Sequence, residues 1–242
     1  MNQFNNQVAS RPEMDLGLRS FMLGTYRWMA MAMGVTAVVA YFVSNFIATS
    51  AAARQFLFGN AIVSLAFLGI VMFGFSAVGR KLATMSIGGV LIALFGFAAF
   101  LGVIAAPIAL VFDPVSITKV FLMAVAMFGG LSLFGYSTNS DLSGVARIAG
   151  MAFLAFVAIS FLGMFFPALR PSGTGEILFL VVGLGAISVL TASQTQDLKR
   201  MYYQVAGHGE MAQKMSAFGA ASLLLAFYNI FVILLQLFGN RN

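Results

Sequence analysis

Residues 191–202 bring hydroxyls, amides and charges together at the end of a long apolar run: Thr191, Ser193, Gln194, Thr195, Gln196 and Asp197 precede Lys199 and Arg200. Such groups can exchange hydrogen bonds or offer oxygens to a hard cation. Hydroxyls and amides do not titrate near neutral pH, so alone they hold a dehydrated cation weakly and cannot switch with protonation. A second polar set recurs at helical spacing in the last apolar run, where Gly219, Ser222, Ala226, Asn229, Ile233 and Gln236 fall on one stripe. That stripe is expected to face the interior of a bundle, with Thr191, Gln194 and Thr195 bordering the same space. Asp197 follows Gln194 by three residues, about 300° round a helix, and is expected to border the site without completing it.

Enzymatic chemistry finds no residues to carry it. The single histidine, His208, stands in Gly207-His208-Gly209-Glu210 without a second imidazole, so zinc binding is not expected. The chain has no cysteine, which removes disulfides, thiolate catalysis and Cys-based metal sites. A GxSxG nucleophile turn and a Walker loop are missing, and no histidine lies within an apolar run to serve an intramembrane serine. No catalytic, cofactor-binding or metal-ligating set is therefore read, and the chain is expected not to be an enzyme.

Those polar positions need elements to hold them. Of 242 residues, 61% are hydrophobic and 8% charged, with a mean hydropathy of +0.97; soluble domains run near about 45–50% and about 25%. Apolar runs recur over 26–46, 56–78, 86–110, 117–136, 145–166, 176–195 and 215–238. Each approaches or exceeds the roughly 20 residues that a helix needs to cross the hydrocarbon core. The fold class is all-α transmembrane, a seven-helix bundle, since a barrel would need short strands alternating apolar and polar. Arg80-Lys81, Pro107, Asp113-Pro114 and Pro167 break the runs, and residues 137–141 read as a turn after the fourth. Glycines such as Gly59, Gly69, Gly74, Gly129 and Gly130 read as points of close helix approach. Residues 1–22 read as a polar, frayed tail and 23–242 as the membrane domain, with the first span acting as an uncleaved signal anchor.

Charge sets the orientation. Arg11, Arg19, Arg27, Arg80, Lys81, Arg147, Lys199, Arg200 and Lys214 fall on one side, and Arg54, Lys119, Arg170 and Arg241 on the other. Nine against four places the N-terminus in the cytoplasm. With the basic residues scattered between apolar runs, the net charge of +6 orients loops and does not point to nucleic acid. An ionisable group at the bilayer centre costs at least about 2.5–3.5 kcal/mol and usually marks function. Glu13, Asp15, Asp113, Asp141, Glu176, Asp197 and Glu210 instead fall in the tail, in loops or at span ends.

Several motifs together resemble the Bax inhibitor-1 (TMBIM, YccA-type) family, in a bacterial member. They are Asp113-Pro114-Val115-Ser116-Ile117, then Phe134-Gly135-Tyr136-Ser137-Thr138 with Asp141-Leu142-Ser143-Gly144, and Leu190-Thr191-Ala192 with Thr195-Gln196 and Leu198-Lys199-Arg200-Met201-Tyr202. Phe227, Asn229 and Phe231 before Leu237-Phe238-Gly239 complete the set, which covers the chain from about Arg19 to Asn242. The resemblance implies a last helix surrounded by the other six, the bacterial cytoplasmic (inner) membrane, and a calcium leak gated by pH. In that family two aspartates, on the sixth and seventh helices, share a proton and latch the pore. Two adjacent carboxylates cannot both ionise cheaply, so one titrates near neutrality. Here Gln194 and Ala226 stand at those two positions, so the resemblance implies a cation (calcium) leak or homeostasis scaffold that has lost its di-aspartate switch. Thr191, Gln194, Asp197, Ser222, Ala226 and Asn229 are the expected pore or latch positions. The alternative is a non-transporting regulator that binds another membrane component, such as a quality-control protease.

Overall fold

A backbone in lipid must satisfy its own hydrogen bonds, and the computed structural model, which describes residues 11–241, does so with helices. In chain order these are α1 (Arg11–Thr49), α2 (Ala51–Phe58), α3 (Ala61–Gly69), a π-helical turn (Ile70–Gly74), α4 (Phe75–Lys81), α5 (Ile87–Ala105) and α6 (Ile108–Val111). Then come α7 (Pro114–Ser137), α8 (Ser143–Phe165), a 3-10 turn (Pro167–Leu169), α9 (Thr174–Val205) and α10 (Gly209–Phe238). Among the described residues six helices are long and apolar enough to cross a membrane, or seven if Ala51–Phe58 and Ile62–Gly69, bent by 56°, form one span.

Three expectations change at the element ends. Residues 1–10 and the side chains of Arg11 and Glu13 lie outside the described residues, but 11–22 form the first turns of α1 and not a frayed tail. Leu18, Phe21, Met22 and Thr25 recur there at i, i+3, i+4 and i+7 and are buried, while Asp15, Arg19 and Ser20 stay outside. The span expected over 56–78 is interrupted, because Asn60 caps a new helix by accepting from the amides of Ile62 and Val63. The polar run 191–202 lies towards the C-terminal end of α9, which continues to Val205, ten residues past the apolar run, and α10 starts at Gly209, so Lys199, Arg200 and Lys214 are helical and not in loops. Lys214 is buried, and its ammonium pairs with Glu210 at 2.7 Å.

The last helix is central. Of the most apolar stretch of α10, 61% is buried, against 11–33% for the other five long helices. It packs chiefly against α1, α5, α7 and α9, while α8 packs on α9. The second span faces α10 across a crevice of about 280 Å³ lined by Gly74, Val78, Ala217 and Ala221. At the far end the chain returns to α7: the Asp113 amide donates to the Asn240 carbonyl at 3.1 Å, and the Asn240 amide to Ser116 Oγ at 2.9 Å.

Lipid offers no hydrophobic reward for helix association, so close packing must supply it. Gly69, Gly129 and Gly130, expected at close approaches, face open space. The approaches are made elsewhere. A Cβ on Gly102 would stand 2.6 Å from the Thr36 carbonyl of α1, and one on Gly135 of α7 would be driven into the Ala192 carbonyl, with Ala192 Cα 2.9 Å away. Backbone cannot yield there as a side chain could. Gly135→Ala is expected to destabilise the detergent-solubilised protein by about 1–3 kcal/mol in thermal unfolding, and Gly129→Ala to leave the midpoint unchanged or raised; equal effects would refute this packing.

Candidate functional site

The polar run of α9 enters the bundle with most of its groups already partnered. Thr191 and Thr195 are fully buried, and their hydroxyls donate one turn back to the carbonyls of Ile187 (2.7 Å) and Thr191 (3.1 Å). Thr195 Oγ1 also reaches Ser132 of α7 at 3.4 Å, and the Tyr26 hydroxyl of α1 faces both, so three helices meet on hydroxyls. Gln194 is half-buried, yet its side-chain carbonyl is shielded from solvent and has no hydrogen-bond partner. Helical geometry gives Gln194 the face of Thr191 and Leu198.

That face meets α10. A Cβ on Gly219 would collide with the Leu198 side chain, which fixes the level of the antiparallel pair. Counting back along α9 and forward along α10 brings Gln194 and Thr195 to the level of Ser222 and Thr191 to that of Ala226. Ala226 is buried and Ser222 half-buried. Asn229, also half-buried, donates its amide to its own helix at Leu225 O, 2.9 Å away, and does not reach across. Gln236, at the end of the expected stripe, is exposed. Asp197 belongs to a different group: its carboxylate lies 3.6 Å from Arg200 with about half its side chain exposed.

The neighbouring Gln196 was not singled out by spacing, yet it has the most complete partners. Its carbonyl accepts from the Leu142 amide at 3.1 Å and its amide donates to the Ser140 carbonyl at 2.8 Å, strapping the α7–α8 turn onto α9. Arg200 reinforces the strap through Asp141 at 2.7 Å, and the Lys199 ammonium donates to the Tyr136 carbonyl at 3.3 Å. Asp141 also accepts from the Ser143 amide and hydroxyl, and with Arg200 as the first cause its carboxyl is pulled down to about 2. The sequence signal for this was the turn at 137–141, whose partner only the tertiary fold discloses.

The site as built is a neutral seam between α9 and α10, floored by hydroxyls from α1 and α7 and closed at one end by a charged strap. Residues 18–242 match the family model described as Inhibitor of apoptosis-promoting Bax1. The chain is similar to RP147 of Rickettsia prowazekii, an uncharacterized protein, at 33% identity over 94% of this chain and 92% of that one. It is also 33% identical to the inner membrane protein YbhL of Escherichia coli K12, over 93% of both chains. An uncharacterized membrane protein of Streptococcus pyogenes shares 28%, over 94% of this chain and 96% of its own.

Removing the strap should be local. Gln196→Leu strands the Leu142 amide and the Ser140 carbonyl, a cost of about 1–3 kcal/mol, and hydrogen exchange should quicken over 138–144 while α10 stays protected; unchanged exchange at the turn would contradict the geometry. Asp141 supplies a pH test with a definite sign. Its folded pKa is depressed, so its contribution is present above the ordinary carboxylate range, near about 4, and is lost as pH falls toward about 2. Arg200→Gln should raise the Asp141 pKa back toward that range, as read by carboxyl-carbon NMR.

Proposed function

The chain belongs to the Bax inhibitor-1 family of integral membrane proteins, and on that premise we propose that it is a cation leak or homeostasis scaffold, for calcium in the first place, without the family's pH switch. The observation that carries this reading is the side-chain carbonyl of Gln194, shielded from solvent and unpartnered, one turn of helix from the level of Ala226. The Thr191 hydroxyl proton is committed to the Ile187 carbonyl and the Thr195 hydroxyl is shared among Thr191, Ser132 and Tyr26, so the Thr191 oxygen and the Gln194 carbonyl are the acceptors left. Such a set can coordinate a cation or a water, but it carries no charge to concentrate calcium and no proton to release near neutrality. The nine basic residues of one side put the N-terminus and the α7–α8 strap in the cytoplasm, and the name of the relative YbhL supports the inner membrane.

A second reading has its own support. Leu223, Ala226 and Ile230 are buried around the seam and close it with hydrocarbon, which favours a non-transporting membrane subunit that binds another membrane component, such as a quality-control protease. No enzymatic step belongs to either reading.

Calcium flux from liposomes discriminates between them. Under the first reading the native protein leaks at a rate that stays flat between about pH 6 and 8, because nothing in the seam titrates there. The double substitution Gln194→Asp, Ala226→Asp, checked as monodisperse after extraction, should add a leak that changes by up to about tenfold per pH unit. Steep pH gating in the native protein would overturn the neutral seam. No flux from either form, with a membrane protein co-purifying in mild detergent, would favour the regulator.

A further inference from the structure

A groove of about 1050 Å³ opens between the first half of α1 and the turn joining α9 to α10, well away from Gln194. Arg19 and Arg27 both line it, both are exposed, and neither has an ion-pair partner among the described residues. Asp15, one turn before Arg19, is exposed and makes no ion pair with it, and among the described residues no carboxylate lines the groove. Leu16, Leu23, Trp28 and Ile87 supply apolar wall, and Leu16 and Leu23 are left more than half exposed. Two unpaired cations over an apolar floor do not suit a wholly aqueous ligand.

The depth of the groove follows from helix length. At 1.5 Å per residue the 39 residues of α1 span about 58 Å and the 32 of α9 about 48 Å, against a hydrocarbon core of about 30 Å. The excess of both falls at the same end, where Gly17 packs on the Tyr202 hydroxyl. Arg19 therefore stands at headgroup level, and Arg27, about 12 Å further along the axis, lies at the hydrocarbon boundary, from which a long side chain can reach outward. Trp28 beside it has the amphipathic character of an interfacial anchor.

We propose that this groove is a binding site for an anionic phospholipid, its phosphate held between Arg19 and Arg27, its glycerol against Leu23 and its acyl chains running inward from Trp28 and Ile87. The two guanidiniums select for negative charge, and the apolar wall distinguishes a lipid from a free anion. The site is independent of the seam, and its outcome does not depend on ion flux.

The full chain, stripped of lipid in a neutral detergent, is titrated with dioleoylphosphatidylglycerol, dioleoylphosphatidylcholine or inorganic phosphate and followed by native mass spectrometry and thermal unfolding. Phosphatidylglycerol should bind at least tenfold more tightly than phosphatidylcholine, and inorganic phosphate should neither bind nor stabilise. Arg19→Gln and Arg27→Gln should each weaken phosphatidylglycerol about fivefold, the increment expected for one cation at an anionic surface. Arg27→Lys, which keeps the charge, and Arg147→Gln, outside the groove, should bind as the native protein does, which separates lost affinity from lost folding. Equal binding of the two lipids, undiminished binding in the Arg19→Gln, Arg27→Gln double variant, or inorganic phosphate acting as well as the lipid would each overturn the proposal.

Discussion

Every polar group that α9 carries into the bundle must find its partner there, because the surrounding lipid has none to offer. Thr191 and Thr195 meet the requirement within their own helix, and Thr195 adds a contact to Ser132 of α7. Gln196 meets it by capturing the backbone of the α7–α8 turn, and Lys199 by reaching the Tyr136 carbonyl. The positions of α7 and of the strap are thus set by what α9 needs. The Gln194 carbonyl is the group for which the fold supplies nothing, and a shielded acceptor without a donor costs about 1–3 kcal/mol.

The packing that bears this cost depends on shape. Gly135 against Ala192, Gly219 against Leu198 and Gly102 against Thr36 let five helices, α1, α5, α7, α9 and α10, approach until backbone meets backbone or side chain. Phe121 and Phe128 of α7 meet Phe227 of α10 edge-on at 5.5 and 5.7 Å and fill the wider part of the same interface. The glycines that lack such neighbours, among them Gly129 and Gly130, show that a small residue allows an approach but does not cause one. What decides is the register between two helices, and register is a property of both.

This explains which features were legible in the sequence. The apolar runs announced the spans, each being long enough to cross the hydrocarbon core, while the central place of the last helix was implied by the family resemblance and not by hydropathy. The ends were not legible, because hydropathy falls wherever a helix leaves the hydrocarbon, whether or not it stops. Residues 11–22 and 196–205 are extensions of this kind, polar in composition beside the apolar runs yet helical in the structure. The break at Gly59-Asn60 was hidden by its apolar surroundings, although Asn60 before a helical run is a capping signal. At the site, spacing puts Ser222 and Ala226 on one stripe and the family resemblance points to Gln194 and Ala226, while nothing in the sequence marks Gln196, whose partners, Ser140 and Leu142, lie 56 and 54 residues away. Asp197 looked relevant by proximity in sequence, and Arg200 and exposure took it out of the seam.

A seam that is neutral on both sides also asks for no proton and no counter-charge in the interface. With a single carboxylate in the seam and no second charge near it, a buried lone acid would have to stay protonated or leave an uncompensated charge in a low-dielectric interface. With two, they share one proton and titrate as a unit. With none, as here, the interface needs no proton, and the remaining amide can keep an oxygen in place without a charge to neutralise. The methyl of Ala226 then allows α10 to be buried along its length, as it is, whereas a carboxylate at that level would demand water or a cation beside it. The absence of charge at Gln194 and Ala226 and the burial of α10 at that level are therefore one structural fact seen from two helices.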